Sequence, residues 1–471
     1  MPFLPVLLWT DILIYLLLAV ITAGIFYIRQ RPYMRAPWRH VFQRKRGVIS
    51  VIILVCYITI GLLDSIHFRQ ALSQDDGQVD SQQHYSTEVL TVLDLMLLPL
   101  RNNVEKSYSA PFAIHAFTRE MQSTDAGDVS YDYSPLIYAG QHLDREQDKT
   151  ADIANAVLNS SAMAIVLWLI LLLAYSLFVA IRSQANWLNS LKNIQLNTAD
   201  YPLKTIILML LAVLLIGFNL LSLSMDYHIL GTDKVGQDVF YQTLKSIRTG
   251  LVIGTLTTLV MLPFALFMGI AAGYFKGWVD DVIQYIYTTL NSIPGVLLIA
   301  AAVLMLQVYM NNHPENFVTI AERADMRLLF LCIILGMTSW TGLCRVLRGE
   351  TLKLREADFV QAARALGAGP FAILRRHILP NLMHIVMIAV VLDFSGLVLA
   401  EAVLSYVGVG VDPSMNSWGN MINSARLEMA REPVVWWSLT AAFVSMFTLV
   451  LAANLFADVV RDAFDPRAQT S

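Results

Sequence analysis

About nine stretches of this chain are long and apolar enough to be membrane-crossing helices, and no other feature restricts its fold so strongly. A helix rising about 1.5 Å per residue needs roughly 20 apolar residues to cross a hydrocarbon core of about 30 Å, and lipid offers its backbone no outside partner. The runs lie near residues 5–28, 48–65, 156–180, 204–224, 248–274, 282–310, 327–344, 381–400 and 436–457. They predict an all-α, polytopic membrane helix bundle with about nine transmembrane helices set in a lipid bilayer.

Composition agrees. Of 471 residues, 56% are hydrophobic and 15% charged, against the roughly 25% charged of a soluble domain. The net charge of −3 lacks the basic excess that nucleic-acid binding needs. Cys56, Cys332 and Cys344 sit in apolar stretches, as small hydrophobes and not as a disulfide framework or thiolate cluster. The first run is too long, and its following flank too basic, for a signal peptide, so it is expected to be retained.

Short loops rich in Lys and Arg stay in the cytoplasm. Residues 29–46 hold Arg29, Arg31, Arg35, Arg39, Arg44, Lys45 and Arg46 and no acid, which places this loop inside. Counting crossings from it puts 181–203, 275–281, 345–380 and the C-terminus inside and the N-terminus outside. The 345–380 loop agrees, with seven basic against three acidic residues. The polar excursion 66–155, with 14 acidic and 6 basic residues, falls outside; a domain of that size translocates largely regardless of charge. Within it STEVLTVLDLMLLPL (86–100) is interrupted by Asp94 and Pro99 and reads as a packed or interfacial helix. EQDKTADIANAVLNSS reads as a polar helix leading into the third span.

Catalytic motifs are missing. The chain has no Gly-Lys dipeptide, hence no GxxxxGK[ST] phosphate loop, and no HExxH, GxSxG or CxxC. His377 and His384 flank Pro380 seven residues apart and read as loop or interface histidines. No catalytic residue and no metal site are expected.

The 345–380 loop instead has the form of a docking element. Phe359, Ala363 and Leu366 recur at helical spacing beside Val360, which predicts a short helix with an apolar face. Gly367 ends it, Pro370 resists continuation and Pro380 suits the first turn of the next span. A short helix cannot bury that face alone, so it lies against its own bundle, the lipid surface or another protein.

QAARALG followed by ILP resembles the EAA-type cytoplasmic loop of permease subunits of binding-protein-dependent ABC importers. Gln361, Ala362, Ala363, Gly367, Leu379 and Pro380 occupy the matching positions, with Gln361 where Glu is usual. GTDKVGQDVFYQTL (231–244) resembles the GTDxxGRD signature of the dipeptide/oligopeptide/nickel permeases, with Gln237 in place of Arg. LAEAVLSYVGVGVDPSMNSWGNMI (399–422) resembles the same family's LAExxLSFLGLG…PSWG stretch. In this order, across about 204–471, the three motifs are similar to the second permease subunit of such a transporter.

The resemblance implies a six-span ABC permease core at 204–471, with 345–380 as its coupling loop. Residues 1–65 are then two N-terminal transmembrane helices with a basic cytoplasmic loop, 66–155 a periplasmic acidic domain, and 156–203 an additional transmembrane helix and cytoplasmic loop. Because 41–65 also look like the family's first span, 66–203 would be an insertion. Implied partners are a second permease subunit, two ABC ATPase subunits that bind ATP and Mg, and a periplasmic solute-binding protein, at the bacterial inner membrane. No cofactor is expected in this chain itself.

Each site has a plainer alternative. Glu356, Phe359, Gln361, Ala362, Ala363, Gly367, Leu379 and Pro380 form the implied ATPase-coupling loop. Gly231, Thr232, Asp233, Gly236 and Asp238 form the outer-face motif, read either as a gate or receptor contact or as a loop that caps the next helix through Asp or Thr. Gly250/Gly254 and Gly269/Gly273/Gly277 have the spacing of close helix packing. Pro263 and Pro294 mark breaks inside spans that can line a pathway. Asp393, near mid-span, faces a partner or a water-filled path, and Glu401 sits toward the outer end of the same span. Trp436 and Trp437 read as interface anchors. An importer moving peptides by alternating access fits best; an exporter or antimicrobial-peptide transporter subunit, or a non-transport sensor or assembly protein, remain as alternatives.

Overall fold

The computed structural model describes residues 3–30, 32–71, 85–123, 129–143, 146–183, 201–317 and 319–464. The expected 181–203 loop and the C-terminal tail fall largely outside them. In chain order the elements are β1 (Phe3–Val6), α1 (Trp9–Gln30), α2 (Pro32–Gln43), α3 (Lys45–Asp64), β2 (His67–Gln70), β3 (Leu90–Thr91), α4 (Val92–Met96) and α5 (Leu98–Asn102). Then come β4 (Glu120–Ser123), β5 (Val129–Asp132), α6 (Lys149–Ser183), α7 (Leu203–Asp226), α8 (Val239–Phe275), α9 (Trp278–Ser292), α10 (Gly295–Asn312) and α11 (Ile320–Arg355). The last are α12 (Asp358–Ala365), α13 (Pro370–Ile373), α14 (Leu379–Tyr406), α15 (Trp418–Glu428) and α16 (Trp437–Phe464).

Among the described residues nine helices are long and apolar enough to span a membrane, which matches the all-α polytopic bundle. One boundary moves. The 282–310 run is not one span but α9 followed by α10, broken at Ile293 and Pro294. Helix α9 is amphipathic: Ile283 and Tyr287 are buried while Asp281, Tyr285, Thr288 and Ser292 are exposed. Its level along α11 is fixed by Asp280 with Arg348 (2.6 and 2.7 Å) and Asn291 with Thr341 (3.0 Å), near the charged end of that helix. The 18-residue α10, about 27 Å long, crosses alone, and Pro294 stands just before it instead of inside a span.

Helix α8 is the axis of the bundle. Gly269 and Gly273 bring it against α11 so closely that a Cβ at either would lie 2.8 Å from a backbone oxygen of Cys344 or Arg348. Gly254 meets Phe394 of α14, and Gly250 meets Trp418 of α15, so these four glycines pack helices as their spacing predicts, whereas Gly277 has no atom within 4 Å of a Cβ and instead stands at the start of α9 with φ +59°. A core of Met261, Ala265, Leu343, Cys344, Leu347 and Leu382 fills one end of the bundle. Trp418, Trp437, Val239 and Ile247 fill the other. Helices α6 and α7 form an outlying pair, joined where Ser160 and Ser161 meet Asn219 (2.8 and 3.0 Å) and Trp168 donates to the Ile207 carbonyl (3.0 Å).

The ends of the helices sort into two groups. Strand β1 pairs with β2, and β2 with β3, both antiparallel, so the N-terminus lies at the same end as the 66–155 segment. Lys245 near the start of α8 bonds Asp64 at the end of α3 (2.5 Å) and fixes those ends together. At the opposite end Arg44 pairs with Asp462 and Lys276 with Glu356 (3.1 Å). The 86–100 stretch is not a single helix: Thr91 and Asp94 form a capping box for α4, and α5 follows with Pro99 in its first turn.

Candidate functional site

At the basic end, α11 stops at Arg355, which donates to the Tyr274 carbonyl (3.0 Å). Gln361 Nε2 donates to the Glu356 carbonyl (3.1 Å), closing the turn into α12; the amide carries the N–H this bond needs, and an ionised carboxylate does not. The Lys276 ammonium beside Glu356 lowers that carboxyl below its usual range. Helix α12 ends at Gly367, φ +81°, a conformation that disfavours side chains. Its N–H and that of Ala368 close on Arg364 and Ala363 carbonyls (3.0 Å each), with Ala362 exposed beside them. Pro370 opens α13, and a π-helical turn, Leu374–Ile378, leads without a break into Leu379 and Pro380 of α14.

The apolar residues of this knob separate. Val360 (3% exposed), Ile373 and Ile378 point into the bundle, whereas Leu366 is 88% exposed, Phe371 75% and Phe359 46%. The single face of Phe359, Val360, Ala363 and Leu366 is therefore two surfaces, one anchoring the knob and one left bare. Phe371 escaped the sequence reading because it lies beyond Gly367, outside the helical period. A recess of about 310 Å³ opens between α12 and the ends of α8 and α11, lined by Tyr274, Arg355, Val360, Arg364 and Ile373.

At the other end the Gly231–Asp238 loop is covered. Asp238, and neither Thr232 nor Asp233, caps α8, accepting from Tyr241 N–H (3.0 Å). Asp233 folds the loop on itself through the N–H groups of Val235 and Gln237 (2.9 Å each). Thr232 is fully buried, bonded to Ser109 by backbone and side chain (3.1 and 2.6 Å) and to Trp437 Nε1 through its carbonyl (2.9 Å). Glu105 N–H donates to the Gly236 carbonyl (2.9 Å). Gly231 and Gly236 adopt φ of +67° and +79°, and a Cβ on either would overlap the backbone of Ser109 or Glu105. Glu105, Ser109, His228 and Trp437 form this junction; no local pattern marks them, since each acts across more than a hundred residues or across a turn.

His228 joins the two parts electrostatically, with Nδ1 2.7 Å from Asp238 and Nε2 3.7 Å from Glu105. Burial alone would lower its pKa, but the two carboxylates outweigh that and raise it to about 9. Burial would likewise raise Glu105, yet the imidazolium and the N–H groups of Ile137 and Tyr138 (2.9 and 2.7 Å) hold it below its usual value. A histidine raised above its ordinary 6.5 contributes stability in full below that value and loses it as pH rises through the folded pKa. Amide exchange at residues 105–112, corrected for intrinsic rates, is therefore expected to stay slow up to neutral pH and to accelerate above about pH 9. His228→Gln should flatten that profile; an unchanged profile would remove His228 from the junction.

Between these ends, Asp393 lies half-buried at the middle of α14 with no hydrogen bond or ion pair among the described residues, beside exposed Leu392, Gly396 and Leu399. Pro263 is exposed on α8. Glu401, near the end of α14, is 2% exposed and accepts from Ser405 (2.7 Å), Ser417 and the Gly419 N–H. A carboxylate set at the N-terminus of α15 satisfies donors that the helix leaves open, so Glu401 fastens α15 to α14. Trp436 is exposed and Trp437 buried, so only the first suits an interface anchor.

Residues 265–470 match the family described as binding-protein-dependent transport system inner membrane component. The chain is 33% identical over 245 residues to the glutathione transport system permease protein GsiD of Pectobacterium atrosepticum, covering 52% of this chain and 74% of that protein. It is 31% identical over 243 residues to the oligopeptide transport system permease protein OppC of Mycobacterium tuberculosis, covering 52% and 77%. A solved inward-facing MetNI methionine ABC transporter aligns at 17% identity and a TM-score of 0.35, over 47% of this chain and 94% of that one. The apolar bundle, the family match and the 33% identical relative together define a membrane-spanning transport subunit. The chain belongs to the binding-protein-dependent transport system inner membrane component family, as a multi-pass ABC permease subunit of the inner membrane. Helices α1 to α7 precede the matched family region.

Proposed function

We propose that this chain forms part of the pathway by which an ATP-driven importer carries short peptides across the bacterial inner membrane. Its partners in this reading are a second permease subunit, two ATPase subunits that hold ATP and Mg, and a periplasmic solute-binding protein. The end bearing 29–46, 275–281 and 345–380 faces the cytoplasm, and the N-terminus and 66–155 face the periplasm. Relatives named for glutathione and oligopeptide transport support a peptide cargo.

The observation that carries the reading is the knob around α12, anchored by Val360 and Ile373 and baring Leu366 and Phe371. Fixed between α11 and α14, it moves both when displaced. Helix α14 extends that motion to mid-span Asp393 and, through Glu401, to α15 beside the outer loop. Two discrete arrangements of these packed helices would give alternating access.

Vesicles holding the assembled complex test this. Inward, ATP-dependent flux of a labelled peptide is expected, and Asp393→Asn should slow it about tenfold, or roughly 1.4 kcal/mol of barrier, without loss of assembly. Outward flux would overturn import; undiminished flux in the variant would take Asp393 off the pathway.

A further inference from the structure

Where the 66–155 segment meets the loop entering α16 there is a slot of about 290 Å³, walled by Tyr108, Phe117 and Thr118 on one side and Arg431, Pro433 and Val435 on the other. It lies at the outer end, apart from the coupling loop and beside the outer motif. Its walls are held from behind. Phe117 meets Trp437 edge to face at 4.9 Å, Tyr108 donates its hydroxyl to Glu428 Oε1 (3.3 Å), and Val435 is 1% exposed. The Arg431 guanidinium lies 5.2 Å from the centre of the Tyr108 ring. It is exposed and makes no ion pair among the described residues. A guanidinium stacked on a ring keeps its fork of donors free for a planar carboxylate.

The negative charges nearby narrow the ligand. Glu428 is 4% exposed, and its Oε2 has no hydrogen-bond partner among the described residues; Glu432 stands at the rim. Both oppose a second negative charge on a ligand held by Arg431, so a singly charged carboxylate fits better there than a doubly charged phosphate. The volume is at the small end of ligand pockets, which span roughly 300–1,000 Å³, and suits one residue more than a whole oligopeptide.

We propose that this slot binds the carboxyl-terminal residue of a short peptide, its carboxylate on Arg431 and an apolar or aromatic side chain between Phe117 and Pro433. The inference rests on the peptide reading for the class of ligand. Through Phe117 and Trp437, which holds the Thr232 carbonyl (2.9 Å), an occupied slot bears directly on the outer motif.

Full-length protein in nanodiscs of zwitterionic lipid, followed by tryptophan fluorescence, tests it with three probes: Ala-Phe, its C-terminal amide, and inorganic phosphate. Ala-Phe is expected to give a saturable change, with the amide at least about tenfold weaker and phosphate a poor competitor. Arg431→Gln should erase the difference between acid and amide, while Arg431→Lys, which keeps the charge and loses the fork, should retain part of it. Equal binding of the amide, effective competition by phosphate, binding indifferent to Arg431, or no saturation would each overturn the site. Uptake by the assembled complex is measured on the same preparations. Transport without slot binding discards the slot and keeps the peptide reading; slot binding without peptide transport does the reverse.

Discussion

Replacing Arg248 with methionine is expected to leave little folded protein in the membrane. The buried guanidinium reaches Asp11 (2.7 Å) and Thr10 (3.0 Å) of α1, Ser65 after α3 (3.3 Å) and Asp325 of α11 (3.9 Å). His67 of β2 stands 2.8 Å from the other Asp11 oxygen, and Thr10 also bonds Asp325. One cation therefore ties four segments together. Without it two buried carboxylates face each other, and breaking such a pair costs about 3–5 kcal/mol, a large share of a typical total stability of roughly 5–15 kcal/mol. Membrane abundance and the thermal midpoint of the purified protein measure the loss. Adding Asp11→Asn to the variant should restore part of it by removing a stranded charge; a variant that melts with the parent would show that packing alone holds α1.

The double change Leu366→Asp and Phe371→Asp is expected to abolish co-purification of the ATPase subunits while leaving the protein's own abundance unchanged. Both side chains are mostly exposed, so the fold loses little. At an interface each such anchor is worth about 2 kcal/mol or more, so the pair weakens docking by roughly a thousandfold. Val360→Asp is the contrasting control, because a charge at a 3% exposed position collapses the knob itself. ATPase subunits that stay bound to the double variant would place docking elsewhere.

The spans could be read from the sequence because bilayer thickness converts directly into a local run length. The knob was legible for the same reason: Gly367, Pro370 and the period of Phe359, Ala363 and Leu366 all act within a dozen residues. Where two local solutions share one pattern, the reading slipped. Ile293-Pro294-Gly295 in an apolar run suits a kinked helix or two helices, and the pairings that set the level of α9, Asp280 with Arg348 and Asn291 with Thr341, lie outside that pattern. Long-range partners left no trace. Glu105 beneath Gly236, or Asp11 against Arg248, joins residues whose neighbours in sequence say nothing of each other. Glu401 was visible as a charge in an apolar stretch, but its use as a fastening for α15 depends on Ser417 and Gly419 arriving from the next loop.

The Arg248 cluster also carries a consequence for how the chain is made. Asp11 and Arg248 are 237 residues apart, and ribosomes add about 5–20 residues per second. Asp11 therefore waits on the order of tens of seconds for its cation. Asp64 and Asp94, which receive Lys245, are also synthesised first. Lys245 and Arg248 of α8 thus emerge after the carboxylates of Asp11, Asp64 and Asp94 that receive them, so the order of synthesis sets the acids in place before the cations.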